Sequence, residues 1–177
     1  MPHISTYIGI ALFAAEGYPY QSAIVLSTHM QFDNAVLSGT VIDTVNGRLV
    51  TWRICDRSPA SFEPYLRLVG VITVAKVDYQ PSAICESIKS LVWNAQDVRV
   101  NSDSPNKEAY SNDFVCRAVL DLCNKRTISL SSNMKNNIDG HITDGLGKLL
   151  IKQSSKFNLF PVISLEDEDA VFGGTRY

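Results

Sequence analysis

The sequence predicts an α+β domain, a mainly antiparallel sheet packed against two or three helices, on three observations. β-rich apolar runs fill the first half of the chain, and helical periodicity is confined to the second. Between two of the runs lies Asn46-Gly47, the dipeptide that supplies the positive φ angles of a tight type I′ hairpin turn.

The elements follow in order. "TYIGIALF" alternates, with Ile8, Ile10 and Leu12 on one face, and reads as the first strand. "SAIVLS" is a short apolar run with β-branched residues. "GTVIDTVNGRLVTWRIC" is the hairpin. "YLRLVGVITVAKV" is long enough for a central strand, and Gly70 inside it marks a bulge or kink. In "QPSAICESIKSLVWN", Pro81 suits a first helical turn, and Ile84, Ile88, Leu91 and Val92 form an apolar stripe. "VRVNSDSPNKEAYSN" is polar and reads as a loop. Ser111, Asn112 or Asp113 then caps a helix whose apolar rows are Phe114, Ala118, Leu122 and Val115, Val119, Cys123. "SLSSNMKNNIDGH" reads as a second long loop. "ITDGLGKLLIKQ" is a weaker helix, diluted by Gly145 and Gly147. "FPVISLE" reads as a last strand or an extended strap. Residues 1–165 therefore form one domain, and 166–177 an acidic, Gly-containing mobile tail.

With 177 residues, the chain can bury a sizeable core, and 45% apolar with 19% charged residues is an ordinary globular mixture. A net charge of −2 argues against a general nucleic-acid binder, which needs a basic surface. No apolar run is long enough to span a bilayer. The first residues carry no Lys or Arg ahead of an alternating run, so they are expected to belong to the first strand rather than to a signal peptide. Four cysteines occur with no glycosylation sequon, and a reducing cytoplasmic setting is expected. Cys116 and Cys123 sit two helical turns apart, roughly 10 Å, too far for a disulfide. No CxxC or HxxxH spacing suggests a metal site, and "GLG" and "GG" are too short for phosphate loops, so the reading calls for no cofactor.

Cys116 falls on the first turn of its expected helix. Backbone amides and the positive helix end would favour a thiolate there, as a nucleophile needs. The competing reading is packing, because free cysteine is among the most buried residue types. Asp113, if close, would raise the thiol pKa. Cys123 and Cys85 lie on apolar stripes and read as core; Cys55 ends a strand. A thiol catalyst also needs a base. His3 is near the terminus, His141 is in or beside a polar loop, and His29, after "SAIVLS", is placed at a strand end.

The order "YIGIALF…GYPYQSAIVLS…YLRLVGVITVAKV…DFVCRAVLDL" resembles a family of small uncharacterised fungal proteins over roughly Tyr7 to Leu165. In that family, strands of the type "YVALY", "YHWALLV" and "LLVRVxIAKV" precede an "NCxxWVxxAL" helix. It is similar in turn to the circularly permuted NlpC/papain-like thiol hydrolases, which include lecithin–retinol acyltransferase. The resemblance implies that Cys116 is the helix cysteine and that Gln21 stands where a strand histidine activates it. Gln21 is no base, Ser22 replaces a tryptophan, and Val115 an asparagine. Asp43 falls near a third polar position on the neighbouring strand. The implied arrangement has Cys116 facing Gln21 across a cleft, rimmed by loops at Asn101–Tyr110 and Ser131–His141.

Three functions follow. The first is a thiol hydrolase or acyltransferase on a small-molecule substrate, with Cys116 as nucleophile and His29, His141 or Asp43 as base. The second is cofactor-free isomerisation or cyclisation of a fungal natural-product intermediate, with Gln21 and Asp43 as hydrogen-bonding groups. The third is a binding protein or pseudoenzyme. The residues do not specify an oligomeric state.

Overall fold

The computed structural model describes residues 4–15, 18–28, 37–45, 48–57, 66–91, 107–152 and 160–165. Their elements are β1 (Thr6–Ala15), β2 (Tyr18–Ser27), β3 (Leu37–Val45), β4 (Arg48–Arg57), β5 (Leu66–Val77), α1 (Pro81–Lys89), α2 (Lys107–Asn124), α3 (Ser132–Asn136), α4 (Ile138–Ile151) and β6 (Val162–Ser164). They form one six-stranded sheet in the order β4-β3-β2-β1-β5-β6 with four helices. The pairs from β4 through to β5 are antiparallel, and β6 joins β5 in parallel. The α+β class and the mainly antiparallel sheet are as expected. The hairpin is present too, with Val45 opposite Arg48. Its turn, Asn46-Gly47, lies outside the described residues, as do His3, His29 and the tail 166–177.

Both sheet faces are apolar. On one face Ile8, Ile10, Leu12, Ile24, Leu26 and Ile42 join a cluster with residues from all four helices. On the other, Ala11, Phe13, Ala23, Val25, Val41 and Val71 pack with Phe160, and no helical residue among those described takes part. Each strand therefore sends alternate side chains into two different cores.

Strand β5 keeps this division only by slipping register twice against β1. Gly9 lies opposite Thr73 while Ile8 lies opposite Ala75, and Phe13 lies opposite Leu68 while Leu12 lies opposite Gly70. Val74 and Val69 are the extra residues, and both enter the helix-side core. Gly70 thus sits beside a bulge, as expected. A Cβ there would lie 2.8 Å from the Pro161 carbonyl oxygen and 2.7 Å from Leu149 Cδ2. The missing side chain lets α4 and the strand entering β6 close on β5, where Val71 N–H donates to Pro161 O at 3.0 Å.

The second half is more helical than its polar composition suggests. α2 begins at Lys107, inside the stretch expected to be a loop, and Ser111, Asn112 and Asp113 are helical rather than capping. The expected loop over Ser129–His141 contains α3 and the start of α4. There the Ser131 side chain accepts from Met134 N–H as an N-cap, and Met134 and Ile138 are buried. Three apolar residues in this stretch, Leu130, Met134 and Ile138, are all buried in the helix-side core, and that burial overrides its many Ser and Asn residues. α2 ends in a Schellman motif. Arg126 takes φ 58°, its N–H bonds Cys123 O, and Thr127 N–H bonds Leu122 O.

Candidate functional site

The longer α2 changes the surroundings of Cys116. The residue is the tenth of the helix, about 13 Å along the axis from Lys107. The helix dipole acts within the first turn, so it does not favour a thiolate this far in. The placement of Cys116 on a first turn is thereby corrected. Cys116 is 6% exposed, among Phe114, Val115, Ala118 and Val119 in the helix-side core. Its Sγ–H donates to Asp139 Oδ1 at 3.6 Å. Burial pushes the thiol up to about 12, and the charges of Asp139 and, further down, Asp113 add to it. Asp113 therefore acts in the direction the sequence suggested. It is also paired, with Arg117 at 3.0 Å. A proton on this sulfur stays there at neutral pH, which is the reverse of an activated nucleophile.

Gln21 does not face Cys116. It pairs with Phe13 across β1 and β2, and paired residues share a face. Phe13 belongs to the core on the far side from the helices and packs against Trp52, their rings 5.7 Å apart. The expected Cys116–Gln21 cleft is thus not formed, because the sheet itself stands between the two. The neighbouring residue, Ser22, pairs with Leu12, is wholly buried and takes the helix side.

Asp43 is on the same face as Gln21, two residues beyond Val41. Here the structure does bring two expected residues together. Gln21 Nε2 donates to Asp43 Oδ2 at 2.5 Å, and Asp43 is buried. A carboxylate out of water needs donors, and an amide on the adjacent strand supplies one without adding charge. The bond is a cross-strand tie.

The bases expected for Cys116 are not assembled around it. Asp43 is on the opposite face, and His29 lies outside the described residues. His141 is half-buried on α4, two residues after Asp139, a spacing that turns it to another side of the helix. Cys123 and Cys85 are free and buried, and burial raises both thiols. The Cys55 side chain lies outside the described part. Asp139 was not found by sequence reasoning, because a polar stretch rich in Asn gave no sign of which residue would reach α2.

A cavity of about 690 Å³ opens elsewhere, where β1 begins, β2 and β5 end, and α1 starts. Tyr7, Thr28, Arg53, Lys76, Ser82 and Cys85 are among its lining residues; Cys116, Gln21 and Asp43 are not. Gln21 is seven residues from Thr28 along β2, about 23 Å. Lys76 Nζ stands 5.5 Å from the centre of the Tyr7 ring. Thr6 Oγ1 donates to Tyr79 O at 2.5 Å and ties the start of β1 to the turn before α1, which fixes this corner. No group of three or more metal-ligating side chains occurs among the described residues, and no helix among them is long and apolar enough to cross a membrane.

Compared with protein-family models, curated proteins and solved structures, the chain matches none.

Proposed function

We propose that this protein binds a small molecule at the cavity beside the start of α1, on a scaffold of acyltransferase-like ancestry whose helix cysteine serves packing. The observation that carries this reading is a separation. The thiol at 116 is buried, protonated and held by Asp139, while the open cavity lies at another corner of the fold. Gln21 and Asp43 are bonded to each other on the far side of the sheet from the helices, so they offer less to an isomerase or cyclase than free groups would. The thiol hydrolase reading would need Asp139 to move away and a base to arrive.

Two measurements test this. Iodoacetamide at neutral pH is expected to label Cys116 slowly in the native protein and quickly only after unfolding. A panel of small metabolites is expected to raise the melting temperature for some members. Thr28→Trp, which fills the cavity mouth, is expected to abolish those shifts, and Cys116→Ala to leave them in place. Fast native labelling of Cys116, with ligand effects lost in Cys116→Ala, would return the hydrolase reading. A panel with no shift for any member would remove the small-molecule site.

A further inference from the structure

The lining of the cavity divides between the two faces of the sheet. Lys76 lies opposite Tyr7, and Tyr7 packs on the second core, so this cation is on the far side from the helices. Arg53 lies opposite Thr40, and Thr40 lies opposite Leu26, a member of the helix-side core. Arg53 is therefore on the helix side. Strands β3, β2 and β1 stand between the two charges. An acid is near as well, because Ser5 in the lining donates to Asp78 Oδ1 at 3.0 Å. Charges of one sign do not converge in this cavity.

Hydrogen-bonding groups do converge, on the helix side. Thr28, two residues past Leu26 at the end of β2, continues the face of Leu26. Arg53, Thr40 and Thr28 thus form a diagonal across β4, β3 and β2, with Thr28 about 7–8 Å from Thr40. The start of α1 brings Gln80 and Ser82 to the same cavity. Among the described residues, none of these five side chains has a hydrogen bond or ion pair within the protein. A hydroxyl or a side-chain amide both donates and accepts, and the guanidinium adds several N–H donors. Ile4 and Pro81 supply apolar surface beside them. A volume of about 690 Å³ is that of a ligand pocket.

We propose that the cavity takes a small neutral polyol, a sugar-like ring with several hydroxyls, held on the diagonal Arg53–Thr40–Thr28. This rests on the small-molecule reading above and adds the ligand's chemical class. Ring hydroxyls accept from Arg53 and exchange donor and acceptor roles with Thr40 and Thr28, while the C–H face of the ring lies against Pro81. Arg53 is exposed, so its charge is screened and its N–H donors serve hydroxyl oxygens.

The test titrates three probes calorimetrically against the whole chain. They are methyl α-glucopyranoside, cyclohexylmethanol, which keeps a six-membered ring and one hydroxyl, and methyl α-glucuronide, which adds a carboxylate. The glucoside is expected to bind about tenfold more tightly than cyclohexylmethanol and within about threefold of the glucuronide. Thr28→Val and Thr40→Val each remove one hydroxyl and are expected to weaken the glucoside about three- to tenfold, leaving cyclohexylmethanol unchanged. Arg53→Met is expected to do the same. Valine suits a strand, so folding survives, checked by an unaltered circular dichroism melt. Thr51→Val, on β4 outside the cavity, is expected to change nothing. Cyclohexylmethanol that binds as tightly as the glucoside overturns the polyol class while the small-molecule site stands. Glucoside binding that is indifferent to all three substitutions overturns it also, and so does a glucuronide that binds more than about tenfold more tightly than the glucoside. If no probe binds while members of the metabolite panel do, the polyol class is wrong and the site remains. If neither probes nor panel members bind, the small-molecule reading itself fails.

Discussion

The Cys116 sulfur donates its hydrogen to the Asp139 carboxylate across 3.6 Å, joining the middle of α2 to the first turn of α4. The contact bridges two helices at the rim of the shared core, where burial first and the Asp139 charge second keep the thiol in its neutral form.

A pH dependence follows from that neutral form. The folded-state pKa of Cys116 is raised to about 12, above its value in an unfolded chain near 9. Between those values the folded state holds a proton that the unfolded state has lost. Stability from this group is therefore complete below pH 9 and falls as pH rises toward 12, by about 1.4 kcal/mol per pH unit. Urea midpoints at pH 7.5 and pH 10 are expected to fall further apart in the native sequence than in Cys116→Ala. Equal separations would show that the thiol titrates normally.

The Gln21–Asp43 tie makes a second prediction. Gln21→Leu removes a donor from a buried carboxylate and is expected to cost about 1–3 kcal/mol. Gln21→Glu sets two carboxyl groups against each other. It is expected to be more damaging at pH 7 than at pH 4, where one of them protonates. Denaturant melts of both variants at the two pH values check this.

Two glycines are expected to respond oppositely to alanine. At Gly70 the new Cβ meets the Pro161 carbonyl at 2.8 Å, a backbone atom that cannot turn aside, so Gly70→Ala is expected to lose about 1–3 kcal/mol. At Gly147, on α4, nothing lies within 4 Å of the added Cβ. Gly147→Ala is expected to gain about 0.5–1 kcal/mol from helix propensity. Thermal melts of the two variants settle the contrast.

The left-handed Arg126 gives a fourth prediction. Its φ of 58° closes the Schellman motif after α2, a conformation that costs an L side chain about 1 kcal/mol and glycine almost nothing. Arg126→Gly is expected to raise the midpoint of urea unfolding. A lowered midpoint would mean that the arginine side chain contributes more than its backbone costs.

The sequence carried the α+β class, the hairpin of β3 and β4, the bulge beside Gly70 and the apolar rows of α2 from Phe114 onward. Each was legible because a local rule governs it: strand alternation, the turn chemistry of Asn-Gly, the special role of glycine in a strand, or a 3.6-residue period. It also placed Cys123 and Cys85 in the core. It did not carry the start of α2, where residues 107–110, Lys-Glu-Ala-Tyr in sequence, belong to a helix whose regular apolar rows are read from Phe114 onward. Nor did it carry α3 and the first turn of α4, where Met134 and Ile138 reach the core through a polar stretch.

The candidate site turned on the phase of one strand. "QSAIVLS" is apolar at every position from Ala23 to Leu26, and all four side chains are buried. Such a run has no polar face, so its residues do not reveal which of Gln21 and Ser22 looks toward the helices. Only the pairing of Phe13 with Gln21 and of Leu12 with Ser22 decides it, and that pairing is set by two cores on opposite sides of the sheet. Residue types and short-range periods determined the elements. The tertiary structure decided which side of the sheet each polar group occupies, because a shift of one residue reverses every side chain in a strand.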